Sequence, residues 1–325
     1  MCTAVSYLAR EHYFGRNLDL EYGYREAVTV TPRNFPLHFR KMGTVQSHYA
    51  MIGMAYVSQG YPLYYDATNE KGLSVAGLNF PGNAYYMPFC PEKDNISPFE
   101  LIPWILCQCA TVDEAQSLLE GINLFDEPFS PELPLSPLHW ILSDRHRCLT
   151  LEAVGSGVRI YENPVGILTN NPPFPQHLTH LRSFLGLTPR EPTNTFAPGL
   201  ELTPYSRGMG ALGLPGDASS MSRFVRAAFV SHNSKAAATE EENVSQFFHI
   251  LRSVEMPRGC VELSPGVYEI TRYSSCCNTA RGIYYYTTYD CSTIHAVDLH
   301  REDLNRDDLI SYPLITKGEF RFQNR

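Results

Sequence analysis

Cys2 stands where a thiol can become more than a side chain. Aminopeptidase removal of Met1 is permitted before a small second residue, and it would leave a thiol and a free α-amino group on one residue. The two have ordinary pKa values of ~8.5 and ~7.7–8.0, so moving a proton between them costs only about 1 kcal/mol. The amine can then act as general base and the thiolate as nucleophile, whereas a lysine at ~10.4 would hold its proton at neutral pH. Two charged residues follow in "HYFGRNLDL". Arg16 is permanently cationic and favours a thiolate beside it. Asp19 can accept hydrogen bonds from a terminal amine and hold it in place. Their spacing of three sends them to opposite faces of a regular strand. Both are therefore expected to meet Cys2 only if the strand ends, bends or bulges near Asn17 or Leu18. Without further support, the stretch reads as an ordinary hairpin with exposed charges.

Other chemistry-bearing patterns are weaker. "GMGALG" at 208–213 fits G-x-G-x-x-G, but no strand precedes it and no helix directly follows, as a dinucleotide site requires. His177 and His180, Cys107 and Cys109, and Cys276 and Cys277 lack zinc-ligand spacing, so no metal or other cofactor is expected. There is no G-x-S-x-G elbow and no phosphate-binding loop.

The elements that must position Cys2 are strands. "TAVSYLA" and "HYFGRNLDL" form the first hairpin, followed by "EAVTVTP", "HYAMIGMAYVS", "YPLYYD" and "KGLSVAGLNF", all β-branched or aromatic and bounded by turn residues. Ser97, Pro98 and Glu100 predict a helix start before "LIPWILCQC", with Pro103 tolerated early in it. Thr111 and Glu114 repeat the device before "AQSLLE". Strands return from "LHWILSD" to "VGILTN"; helices are expected at "PQHLTHLRSFLGL", "MSRFVRAAFVSH" and the Thr239/Glu242-capped "ENVSQFFHILRSV"; the last quarter is strand again. Strands, helices, strands, helices, strands is an α+β order, and one domain spanning 1–325 is expected.

Composition sets the class. The 325 residues are 43% hydrophobic and 18% charged, enough for a sizeable core. A net charge of −8 argues against a nucleic-acid partner. Nine scattered cysteines suit a reducing compartment rather than a disulfide scaffold. Neither a secretory leader nor a membrane-length apolar run is visible, so a cytoplasmic protein with no membrane partner is expected.

Six stretches in one order, "MCT", "FGRNLD", "NEKGLSVAGLNFPG", "GILTNNPPF", "GLPGDASSMSRFVRA" and "GIYYYTTYD", resemble the choloylglycine hydrolase family from Met1 to about residue 300. That family comprises bile salt hydrolases and penicillin V acylases of the N-terminal nucleophile class. The resemblance implies a four-layer αββα sandwich with two antiparallel sheets, and amide hydrolysis through a thioester on Cys2. It places Arg16 and Asp19 beside the nucleophile and Arg223 at a second active-site arginine. Asn79, through its backbone N–H, and Asn170, through its side-chain amide, fall at oxyanion-stabilising positions. Penicillin V acylases commonly carry Tyr where this chain has Asn79, so the resemblance points to a bile salt hydrolase acting on glycine- or taurine-conjugated bile acids. Penicillin V or another acyl amide is the alternative substrate, and a non-catalytic amphiphile-binding protein is the alternative of a different class. Leu18, Phe129, Leu133 and Asn79 are the expected substrate contacts, the middle two from the apolar loop "LFDEPFSPELPLSP". Relatives commonly form tetramers, so a homotetramer is expected.

Overall fold

The structure is a computed structural model that describes residues 1–324. Strands β1 (Cys2–Leu8) and β2 (His12–Leu20) form the predicted hairpin. They lie inside a six-stranded antiparallel sheet ordered Ile167–Leu168, β1, β2, Ile270–Asn278, Ile283–Thr288, Cys291–Asp298. An eight-stranded sheet runs Gly157–Glu162, Cys148–Val154, Leu138–Ser143, Ser74–Asn79, Tyr61–Asn69, Met51–Ser58, Ala27–Thr31, Ile310–Pro313, and its paired strands are also antiparallel. Strands from both ends of the chain therefore share each sheet.

The two sheets stack face to face. Ser6 and Ser143 hydroxyls meet across the gap at 2.7 Å, and Tyr273 and Tyr284 of one sheet donate to Asp66 of the other, each at 2.7 Å. Helices α1 (Leu101–Leu106) and α2 (Val112–Leu119) cover the eight-stranded sheet, packing Leu101, Ile105, Val112 and Ala115 with Val75, Leu142 and Leu149. On the six-stranded sheet lie α4 (Ser220–Asn233) and α5 (Glu240–Arg252), and α3 (Phe174–Leu181) packs beside α4. Phe247 of α5 packs on Tyr7 at 6.5 Å between ring centroids, and Asn17 donates to the Leu251 carbonyl of α5 at 2.9 Å. This is the four-layer αββα arrangement. Both faces of β1 and β2 are covered, so alternation of apolar and polar residues gives way to near-continuous burial.

The helix starts differ in detail from the predicted boxes. At Ser97 the Glu100 carboxylate accepts from the Ser97 N–H at 3.0 Å, as the box requires, and a 3₁₀ turn precedes α1. Thr111 caps α2 through Glu114 N–H at 3.2 Å, but the Glu114 carboxylate reaches back to Ala110 N–H instead. Thr239 and Glu242 form the complete reciprocal pair at α5. Short strand pairs at Leu37–Phe39 with Gly43–Val45, and at Asp94–Ile96 with Ile122–Leu124, were not predicted.

Gly15 lets β2 lie close to the Ile270–Asn278 strand, because a Cβ there would strike the Ser275 carbonyl. The next residue, Arg16, takes its backbone N–H to the Ser275 hydroxyl at 3.1 Å.

Candidate active site

Cys2 opens β1 directly opposite Leu18 of β2, and both are buried. Strand alternation puts Leu18 and Arg16 on the Cys2 face, toward the second sheet. Arg16 crosses the gap and donates from one guanidinium nitrogen to the carbonyls of Tyr65 (3.0 Å) and Gly77 (2.5 Å). It is fully buried, its other terminal nitrogen has no partner, and no carboxylate lies within 4 Å of it among the described residues. Burial alone would pull its pKa down, but Cys2, Tyr273, Asp66 and Asp19 together raise it above the ordinary value. A buried cation with one unpartnered terminal nitrogen and no direct counter-ion is a standing attraction for an anion beside it.

Asp19 is also fully buried, so the reading of an exposed hairpin fails. It lies on the opposite face, and β2 neither ends nor bulges at Asn17 or Leu18, since its pairing with β1 is regular from His12 to Leu18. The expected irregularity sits instead in the neighbouring strand, between Thr271 and Tyr273. Arg16 thus approaches the thiol side of residue 2, while Asp19 meets the backbone end of the chain. Its N–H donates to the Met1 carbonyl at 3.0 Å, and its carbonyl accepts from the Met1 amine at 2.9 Å. That amine also pairs with Glu269, and burial lowers its pKa against the opposing pull of Cys2 and Asp19.

Three residues close the ring around Cys2. Asn170 accepts from the Cys2 N–H at 2.9 Å through Oδ1 and donates to the Asn79 carbonyl at 2.7 Å through Nδ2. Arg223, on α4, donates to the Cys2 carbonyl (2.5 Å), the Thr3 hydroxyl (2.7 Å) and Asn170 Oδ1 (2.7 Å). Its burial lowers its pKa, opposed by Asp19 and Cys2. At Asn79, Phe80 N–H donates to the Pro137 carbonyl at 2.7 Å, which makes the facing pair 79 and 138 the non-hydrogen-bonded kind. The Asn79 N–H therefore points away from the Leu138–Ser143 strand. The atom that would become the α-amine, two amide donors and two buried guanidinium groups are thus gathered around one strand end.

Phe129 is placed otherwise. It is half-buried in an aromatic cluster with Phe99 (5.2 Å between centroids) and Tyr61 (6.0 Å), with Arg40 over its ring. Leu133 is half-buried in the same loop, bonded through its N–H to the Ser130 carbonyl at 3.1 Å.

Several supporting residues escaped sequence reasoning. Ser220 accepts from the Asn170 N–H at 2.8 Å, and His177 Nε2 donates to the Asn170 carbonyl at 2.9 Å. His139 Nε2 does the same for the Thr169 carbonyl at 3.0 Å. Burial pushes the His177 pKa down to about 4, so it is a neutral brace rather than a base at neutral pH. A histidine in an i, i+3 pair on a helix gives no sequence signal for that role.

The linear amide C–N hydrolase, choloylglycine hydrolase family model matches residues 2–312. A bile salt hydrolase/transferase of Lactiplantibacillus plantarum is 52% identical over 98% of this chain and 99% of its own. A bile salt hydrolase/transferase of Clostridium perfringens is 34% identical over 92% of each chain. Among solved structures, a variant of conjugated bile acid hydrolase from Clostridium perfringens superposes with a TM-score of 0.92 at 32% identity, over 99% of this chain and 100% of that one. Penicillin V acylase from Agrobacterium tumefaciens shares the fold, with a TM-score of 0.76 at 20% identity over 97% and 92% of the two chains. With its αββα sandwich and Cys2 at the head of the first strand, the chain belongs to the choloylglycine hydrolase family of linear amide C–N hydrolases.

Proposed function

We propose that this protein is a bile salt hydrolase that cleaves the amide bond of glycine- or taurine-conjugated bile acids through a thioester on Cys2. The observation that carries the proposal is the ring of Asn170, Asn79 and Arg223 closed on the backbone of Cys2, with the buried Arg16 on the thiol side.

Removal of Met1 turns the Cys2 nitrogen into an α-amine. This amine takes the thiol proton, and the thiolate, drawn by Arg16, attacks the amide carbonyl. The carbonyl oxygen gains negative charge and is met by the Asn79 N–H and by Asn170 Nδ2, which carries two hydrogens and spends one on Asn79. The protonated amine then delivers its proton to the departing nitrogen of glycine or taurine. A water molecule, deprotonated by the same amine, attacks the thioester, releasing the bile acid and restoring the thiol. Asp19 holds the amine, and Arg223 fixes both the Cys2 carbonyl and the Asn170 side chain. Every proton has a protein group to carry it, so no cofactor enters the scheme.

Leu18, opposite Cys2, and Asn79 are the contacts nearest the reacting carbonyl, and Phe129 and Leu133, in their separate loop, meet the steroid farther out. One domain spans the chain, with Met1 removed, and works as a cytoplasmic homotetramer; among the described residues no helix is long and apolar enough to cross a membrane.

The test is amide release by mass spectrometry from glycocholate, taurocholate and penicillin V in parallel, with the intact enzyme mass read from the same sample. Bile-acid release by chains lacking Met1 is the expected result. Preferential penicillin V cleavage would overturn the substrate assignment. Tight bile-acid binding with no release would point to an amphiphile-binding protein instead.

A further inference from the structure

The irregularity in the Ile270–Asn278 strand is placed to serve Asp19. Thr271 faces Asp19 and Tyr273 faces Leu18, so Arg272 is an extra residue between two consecutive positions of β2. In a regular strand residues 271 and 273 would share a face. The bulge sends them to opposite faces. Tyr273 turns between the sheets, where its hydroxyl donates to Asp66 at 2.7 Å, and Thr271 turns to the helix side with Asp19.

On that side the direction of hydrogen bonding is fixed. The Met256 N–H donates to Thr271 Oγ1 at 2.8 Å, and the Thr271 N–H returns to the Met256 carbonyl at 3.1 Å, clamping the threonine to the segment that follows α5. The one hydroxyl hydrogen of Thr271 goes to Asp19 Oδ1 at 2.6 Å. Asp19 Oδ2 is buried and has no hydrogen-bond partner among the described residues.

We propose that Thr271 is a positioning residue: with the bulge that aims it, it occupies one oxygen of Asp19 and leaves Oδ2 as the single free acceptor for the α-amino group of Cys2. This rests on the reading of Asp19 as the residue that holds that amine. A hydroxyl donor at Oδ1 favours the carboxylate over the acid, which matters where no water competes. The charged groups that bear on Asp19 are Arg223 from α4, Arg16 from β2, the chain-terminal amine, and Glu255 beyond α5. Burial raises the Asp19 pKa, and the two arginines, the amine and the Thr271 hydroxyl work against that rise.

The experiment measures kcat, KM and the acid limb of the pH profile for glycocholate hydrolysis in Thr271→Val, Thr271→Ser and Thr271→Cys, with intact mass confirming loss of Met1 in each. Valine keeps the shape and removes the donor. Its kcat should fall about 10- to 100-fold with KM little changed, and its acid limb should move up by about one pH unit. Serine should restore the wild-type limb, and cysteine, a weak donor, should fall between. Wild-type kcat and limb in Met1-free Thr271→Val would overturn the proposal; if that variant does not fold, a serine limb displaced like the cysteine limb would overturn it equally. Asp19→Asn separates the two claims. A fully active Asp19→Asn enzyme refutes the role of Asp19 and this inference with it, whereas an inactive one beside a normal Thr271→Val enzyme refutes the inference alone.

Discussion

Replacing Asn170 with alanine tests the centre of the site, because its side chain makes three hydrogen bonds there. Cys2 N–H and an Arg223 nitrogen lose their acceptor, at 2.9 and 2.7 Å, and the Asn79 carbonyl loses its donor at 2.7 Å. Two of these bonds are between neutral groups, worth roughly 0.5–1.5 kcal/mol each, and the bond from charged Arg223 about 1.5–3. Because Asn79 is only half-buried, water can re-pair its carbonyl, so destabilisation should be about 2–4 kcal/mol. An unfolding entropy of ~2.1 cal/mol/K per residue gives roughly 0.7 kcal/mol/K for a chain of this size, so Tm should fall by only about 3–6 °C. The catalytic cost is larger: one oxyanion donor is worth ~100- to 1,000-fold in kcat. Initial rates of glycine release from glycocholate at saturation, read beside a thermal melt, separate the two effects. A folded Asn170→Ala enzyme with kcat within about threefold of wild type would refute the assignment of its amide to the oxyanion.

Cys2→Ala should retain the fold and lose turnover altogether, since the side chain is buried but small; measurable hydrolysis by that variant would end the thioester scheme. Arg16→Met should lower both kcat and the rate of Cys2 alkylation by iodoacetamide at pH 7, each by roughly tenfold or more, because the buried cation beside the thiol is gone; unchanged alkylation would show that Arg16 serves structure alone. His12 is buried with its two ring nitrogens bonded to Ser6 (2.9 Å) and Thr279 (3.0 Å), and burial takes its pKa down from 6.5 to about 4. Between those values the unfolded chain binds the extra proton, so stability falls as pH drops through that window, by about 1.4 kcal/mol per pH unit for this one group. Denaturant unfolding from pH 4.5 to 6 should show a slope reduced by that amount in His12→Asn; an unchanged slope would contradict the assignment.

How much of this was legible in the sequence depends on the kind of residue. Strand and helix positions followed from pattern, because Thr239 with Glu242, and Thr111 ahead of α2, act on neighbours in the chain. The four-layer stacking and the gathering of Asn79, Asn170 and Arg223 came through the family resemblance; periodicity alone does not bring residue 223 to residue 2. Strand parity rightly warned that Arg16 and Asp19 face apart, but the inferred remedy, a break in β2, was wrong. Cys2 has two chemical ends, and each charged residue approaches a different one. The bulge that matters lies about 250 residues away in sequence, where Thr271 and Tyr273 in "EITRYSSC" look like any strand. Ser220, His139 and His177 brace Thr169 and Asn170 through backbone atoms, and such bonds leave no mark on residue type or spacing.

The most direct test is to trap the intermediate. Enzyme mixed with excess taurocholate is quenched in acid within the first turnovers, and intact mass and peptide mapping locate the cholyl group. The account predicts a thioester on Cys2, found only in chains that have lost Met1. An acyl group on any other residue, or turnover by chains that keep Met1, would contradict it.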